Sequence, residues 1–194
     1  MSNSTAKEVD LVGEETTLNI ARSALFAALM GAFAYVAFPY PLSPVPVTLQ
    51  VLGVFLAGLF LGPLWGAAAM VLYLLAGAVG APVFSGGGAG LGVLLGPNGG
   101  YLFSYPLAAL AVGTLAHGGF ELRSLAEASV FRLLAGMALG VVVIYGIGVP
   151  FMWWNLDMTL RTAVFTGAVV FVPAEAAKMA AAVGIVRSDA IRAA

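Results

Sequence analysis

The sequence has no cysteine, a single histidine and very little charge: 9% of its 194 residues are Asp, Glu, Lys or Arg. The absence of cysteine excludes disulfides and thiolate chemistry. One histidine, His117, cannot build a multi-histidine metal site within one chain, and no H-E-x-x-H motif surrounds it. Between Ser23 and Phe120 there is no Asp, Glu, Lys or Arg. A net charge of −1 offers no electrostatic attraction to nucleic acid. The chain is rich in glycine, yet no register gives G-x-G-x-x-G or G-x-x-x-x-G-K-[ST], so phosphate binding has no support. The polar, acidic start MSNSTAKEVDLVGEETTLN lacks the basic beginning and early apolar run of a signal peptide and reads as a short cytosolic tail.

What is present is apolar. Hydrophobic residues make up 61% of the chain and the mean hydropathy is +1.03. Soluble domains carry about a quarter charged residues, so the composition is that of a bilayer-embedded protein. Crossing the hydrocarbon layer takes about 20 apolar residues. The pattern predicts an all-α membrane protein with six transmembrane helices over 18–38, 47–61, 64–79, 100–115, 130–149 and 161–186. A tail of 1–17 precedes this domain of 18–186, and a tail of 187–194 follows it. The proline-rich segment Pro39 to Pro46 cannot be helical, and Gly62-Pro63 separates the second and third helices. Pro150 to Asp157 (PFMWWNLD) reads as a tryptophan-rich turn, and Pro173 lies inside the sixth helix.

Six spans put both termini on one side. With that side cytoplasmic, Lys7, Arg22, Arg123, Arg132, Arg187 and Arg192 lie on the inner face and Arg161 alone lies outside, as the positive-inside rule requires. The expected location is the cell membrane, multi-pass, with both termini cytoplasmic. The proline segment and the Trp153-Trp154 turn then face outward.

Gly80 to Tyr101 also faces outward. This loop has nine glycines and two prolines and no charge, interleaved with Val83, Phe84, Leu91, Val93, Leu94 and Leu95. Such apolar content predicts a loop that packs into the protein and closes over something. Ionisable residues within a span are functional candidates, and the sixth helix supplies a pair, Glu175 and Lys178. At i, i+3 they share one helical face, where they could contact one polar ligand or form a structural ion pair. Gln50 offers an amide near the outer surface, or is merely solvated beside a helix-capping Thr48. Asn98 and Tyr101 stand where the loop enters the fourth helix, as ligand contacts or as a cap and an interfacial aromatic. Phe84, Trp65, Tyr73 and Tyr105 are either an aromatic lining or helix packing. Ala24, Ala28 and Ala32 form a small-residue face on the first helix suited to close helix contact, within the chain or with a partner.

Three stretches together, VPVTLQVLGVFLAGLFLGP (Val45 to Pro63), GAPVFSGGGAGLGVLLGPNGGYL (Gly80 to Leu102) and PAEAAK (Pro173 to Lys178), resemble the BioY family. Its members are biotin-specific substrate-binding S components of energy-coupling factor (ECF) transporters, and the likeness runs from about Ala21 to Val183. The resemblance implies a six-helix S-component fold, with an outward-facing cavity that captures biotin for ATP-driven uptake. It implies no catalytic activity, metal or cofactor. A membrane coupling subunit (T component) and two ABC-type ATPases would supply the drive. Ala24 and Ala28 would dock the coupling subunit. Lys178 matches the lysine of the family's P-x-D-x-x-K pattern, while Glu175 replaces its Asp with a side chain one methylene longer. Asn98 likewise replaces the threonine of G-P-T-G-G-Y. A carboxylate accepts from a ureido N–H and an ammonium donates to its carbonyl, so Glu175 and Lys178 would read the biotin head. Phe84, Leu91 and Tyr101 would line its apolar part, with Gln50 and Asn98 as further polar contacts.

Overall fold

A computed structural model describes residues 13–126 and 128–188. Its helices are α1 (Glu14–Tyr35), α2 (Gln50–Ala78), α3 (Leu91–Leu95), α4 (Gly99–His117), α5 (Val130–Leu156), α6 (Leu160–Gly167) and α7 (Val172–Arg187). The two-residue strands β1 (Ala37–Phe38) and β2 (Val47–Thr48) pair antiparallel, Ala37 opposite Thr48 and Phe38 opposite Val47. They close the proline segment into a short hairpin ahead of α2. The expected tails fall largely outside the described residues, as do Lys7 and Arg192, and α1 begins inside the first of them, at Glu14.

The ladder of α2 runs past Gly62, but the chain reverses there. Gly62 has φ 76° and ψ −178°, a conformation open essentially to glycine alone. A straight helix would hold Gln50 and Tyr73 about 35 Å apart; instead Gln50 Nε2 donates to Tyr73 Oη at 2.7 Å. The halves before and after Gly62 are therefore antiparallel neighbours, which makes six helical rods among the described residues, as the pattern predicts. Pro63 follows the turn with no helical donor to lose.

At the other end of the chain the expected boundaries move. α5 continues through Pro150 to Leu156, so the predicted tryptophan turn is the last two turns of a helix, with Trp154 exposed on it. The sixth rod is not one helix. It breaks between α6 and α7 at Ala168 (φ −138°, ψ −59°) and a 3₁₀ turn at Val169–Phe171. Pro173 thus sits in the first turn of α7 rather than inside a helix, where its missing N–H is no loss.

α2 and α4 form the centre, α4 packing chiefly on α2 and α5, with α1 against α2. In lipid, helices gain little from burying apolar surface, so close backbone approach matters more. Glycines permit it here. A Cβ on Gly58 would lie 2.6 Å from the Ala109 carbonyl oxygen, and one on Gly113 2.6 Å from Pro63 N. Leu25, Val142, Phe131 and Trp154 remain exposed on the outer helices. An apolar surface of that kind suits acyl chains and would be an aggregation liability in water.

One end of the bundle gathers most of the positive charge. The Gly62 turn rests on Leu122, Arg123 and Arg132 both approach Gly118, and Arg187 donates to the carbonyls of Ala126 and Ala128. Arg22 precedes Ser23, whose hydroxyl donates to Trp65 O just past the same turn.

The turn geometry predicts that Gly62→Ala lowers thermal stability in detergent by about 1–3 kcal/mol. Gly146→Ala, in a helix with nothing within 4 Å of the added methyl, should be neutral or slightly stabilising. Equal melting temperatures for the two variants would remove the special role of Gly62.

Candidate functional site

The break ahead of α7 decides where the ionisable pair lies. Because α7 starts at Val172, Glu175 falls in its first turn, where unpaired backbone N–H groups favour a negative charge. Lys178 follows one turn later, on the same face. Its Nζ lies 2.8 Å from Glu175 Oε1, and the two side chains are only 7% and 4% exposed. Tyr145 Oη on α5 donates to the same oxygen at 3.0 Å. Glu175 Oε2, equally buried, has no hydrogen-bond donor among the described residues. Lys178 Nζ carries three N–H donors and commits one of them to Glu175. The pair is thus held in place but not used up. One acceptor oxygen and the remaining ammonium donors are left over, and both residues line one cavity.

That cavity is narrow as it stands, with room for water-sized spheres over about 80 Å³. Gln50 lines it from the first turn of α2 and is buried, not solvated. Thr48 Oγ1 accepts from Gln50 N at 3.3 Å and donates to Gln50 Oε1 at 3.0 Å. Tyr73 Oη accepts a hydrogen bond from the amide Nε2 and donates one to Val83 O at 3.0 Å. Thr48 therefore satisfies the helix start and orients the glutamine at once.

The glycine loop forms one wall. Phe84 is fully buried, edge-on to Tyr73 with ring centroids 5.5 Å apart. It sits directly over Gly77, where a Cβ would lie 2.1 Å from its ring. Gly86 (φ 67°) and Gly87 (φ 79°) turn the chain back so that Phe84 N donates to Gly88 O at 3.0 Å. Val93 of α3, Ser85 and Asn98 continue the wall. Asn98 precedes α4 but makes no side-chain cap, which leaves its amide to the cavity. Tyr101 lines the opposite side, its ring flat against Gly148, and its hydroxyl donates to Gly167 O at 2.9 Å. That carbonyl ends α6, so a free acceptor at the helix break is met by Tyr101.

Six of the seven expected ligand contacts, Glu175, Lys178, Gln50, Phe84, Asn98 and Tyr101, converge on this cavity. Leu91 does not. It starts α3 with its side chain 62% exposed, away from the lining, because α3 turns Val93 and Leu94 inward instead. Tyr105 lines the cavity, Tyr73 supports it from behind, and Trp65 stands apart near the Gly62 turn. Ala24 and Ala28 are exposed on α1. His117 ends α4, buried rather than in a polar loop. Its Nδ1 accepts from Arg123 N at 3.1 Å and its Nε2 is 3.0 Å from Leu59 O, so both ring nitrogens serve the fold and none is free for catalysis. The residues that sequence reasoning missed are Tyr145, Ile144 and Phe171. Tyr145 carried a signal, a hydroxyl in the middle of the apolar run Val141 to Val149. Phe171, stacked on Tyr145 at 6.3 Å and 19°, carried none, since its place depends on the helix break.

The family model described as "BioY family" matches residues 3–193. A biotin transporter BioY of Thermotoga maritima is 38% identical over 151 residues, 78% of this chain and 83% of that protein. A probable biotin transporter BioY of Pyrococcus horikoshii is 36% identical over 178 residues, 92% of this chain and 93% of that one. The crystal structure of the S-component for biotin from an ECF-type ABC transporter superposes with a TM-score of 0.81 at 26% identity, covering 91% of this chain and 92% of the other. A match across nearly the whole chain, in sequence and in fold, shows that this membrane protein belongs to the BioY family.

Proposed function

We propose that the chain is a biotin-binding S component, a membrane subunit that captures biotin from outside for ATP-driven uptake, and not an enzyme. The observation that carries this reading is the bare Oε2 of Glu175 beside a partly committed Lys178 at the buried end of an apolar cavity. Biotin's ureido ring supplies the missing N–H donor and, in its carbonyl, an acceptor for the lysine. Its thiophane ring and valeryl chain then lie against Phe84, Tyr101, Tyr105 and Ile144, with the amides of Gln50 and Asn98 available to polar edges. Relatives named as biotin transporters support the same ligand. Uptake would need a T component and two ABC-type ATPases. The exposed Ala24 and Ala28 give α1 a smooth face that a coupling helix could approach closely. Arg22, Arg123, Arg132 and Arg187 support a cytoplasmic setting for the end of the bundle that holds the Gly62 turn, with both termini inside and the glycine loop outside.

Calorimetric titration of the purified chain with biotin tests the reading directly, and binding should be competed by neither thiamine nor riboflavin. Lys178→Ala should weaken biotin by well over tenfold, since losing one partner of a buried charged contact costs about 2–5 kcal/mol. Wild-type affinity in that variant would remove the pair from the site. Replacing Ala24 or Ala28 by tryptophan should leave biotin binding intact and abolish co-purification with the coupling module; assembly that survives both changes would put the docking face elsewhere.

A further inference from the structure

A second cavity lies at the other end of α4 from the ligand site. Leu59, Phe60, Leu125 and Val186 give it apolar walls, Arg123 also lines it, and it has room for water-sized spheres over about 560 Å³. Its frame is pinned at three points. His117 bridges Leu59 O, 3.0 Å from Nε2, and Arg123 N, 3.1 Å from Nδ1. Ser129 Oγ caps α5 by accepting from Arg132 N at 3.2 Å. Arg187 donates to the carbonyls of Ala126 and Ala128.

These ties set two arginines side by side without spending them. Arg123 Nη1 and Arg132 Nη1 lie 3.9 and 4.0 Å from the point where a Cβ on Gly118 would stand. Among the described residues, the carboxylate that reaches either is Glu121, 4.0 Å from Arg123, with both side chains exposed. A pair of that kind contributes little and yields readily to a better anion. One phosphate, accepting at about 2.8 Å from each guanidinium, bridges the gap between them. Because the backbone under both arginines is already fixed, binding there orders little that is loose.

The surroundings point to the source of that phosphate. Phe131, next to Arg132 in the first turn of α5, is 81% exposed, and Val142 is 65% exposed. They share one face of α5, about 16 Å apart along its axis, so an acyl chain laid on that face starts at the arginines. Phe120 and Leu122 are exposed beside Arg123, and the apolar cavity gives room for a second chain. A free anion would use none of this apolar ground.

We infer that this end of the bundle holds an anionic phospholipid, its phosphate between Arg123 and Arg132 and its chains against α5 and the second cavity. Basic pockets of membrane proteins on the cytoplasmic side suit such headgroups. Phosphatidylcholine offers the same phosphate but brings a choline cation that the two arginines repel. The inference needs only a membrane-embedded chain, and it stands or falls independently of biotin binding.

Native mass spectrometry of the purified chain, with dioleoyl phosphatidylglycerol or dioleoyl phosphatidylcholine added at equal concentration, tests this. Each basic residue near a headgroup contributes about a fivefold change in affinity, so phosphatidylglycerol should be retained more than about tenfold better. Equal retention by the wild-type chain would overturn the inference, and that comparison needs no variant to fold. Arg123→Gln combined with Arg132→Gln should bring phosphatidylglycerol down to the phosphatidylcholine level, while Arg161→Gln on α6 leaves the preference intact. A preference that survives the double change, or that Arg161→Gln removes equally, would put the lipid elsewhere. Excess inorganic phosphate should not displace the lipid; displacement would make the pair a free-anion site. Loss of co-purification with the coupling module in the double variant, with lipid retention unchanged, would assign the arginines to a protein partner instead.

Discussion

A carboxylate and an ammonium removed from water, with one carboxylate oxygen left bare, are the constraint on which the site depends. Desolvating an ion costs several kcal/mol even after relaxation, so neither Glu175 nor Lys178 could be buried alone. Their mutual contact and the Tyr145 hydroxyl offset part of that cost. The bare Oε2 leaves part of it standing, on the order of 1–3 kcal/mol or more for a charged acceptor. A ligand that brings an N–H to that atom relieves a penalty already present in the fold. Its recognition is therefore stronger than that of an equivalent contact made from water, where the acceptor would already be hydrated. The apolar walls matter for the same reason, because they keep water from meeting the acceptor as well as the ligand does.

Several distant features keep the pair in that state. The helix break at Ala168 sets the start of α7, and with it the turn on which Glu175 lies. Tyr101 holds the break by bonding Gly167 O, and its ring can do so only because Gly148 lets α5 approach it. On the other side, the reversal at Gly62 brings Tyr73 back to Gln50, and Tyr73 in turn fixes Val83 and seats Phe84. Irregular backbone within a membrane protein is tolerated where it is buried or lines a cavity. The unwound stretches at 36–49, 79–90 and 168–171 meet around this one cavity.

The sequence disclosed the rods, the Gly62 reversal and the ionisable pair because each rests on local chemistry: apolar length, a Gly-Pro step, and charge in an uncharged run. It misplaced what depends on tertiary contact. Pro150 looks like a helix end, but α5 runs through it to Leu156. Pro173 looks like a helix interior, but the chain breaks five residues earlier at Ala168, a residue with no distinguishing property of its own. Leu91 is apolar enough to line the cavity, but the phase of the short α3 turns it outward. Phe171 was invisible because the 3₁₀ turn that presents it exists only in the folded bundle.

The glycine loop, which composition alone would make a flexible strap, is tied along its length. Ala81 N donates to Ala76 O at 3.0 Å and Gly90 N to Gly77 O at 2.7 Å, while Tyr35 Oη reaches Pro82 O at 2.6 Å from α1. Phe84 is wedged between these ties. Glycine is needed there for compactness, since a side chain on Gly77 would displace Phe84 from Tyr73 and so loosen Val83 and Gln50 together. The ionisable pair belongs to α7, but it is the loop that walls in the chamber above α7 and keeps it small. In a wetter chamber water would satisfy Glu175 Oε2 before any ligand arrived, and the same two charged residues would discriminate far less.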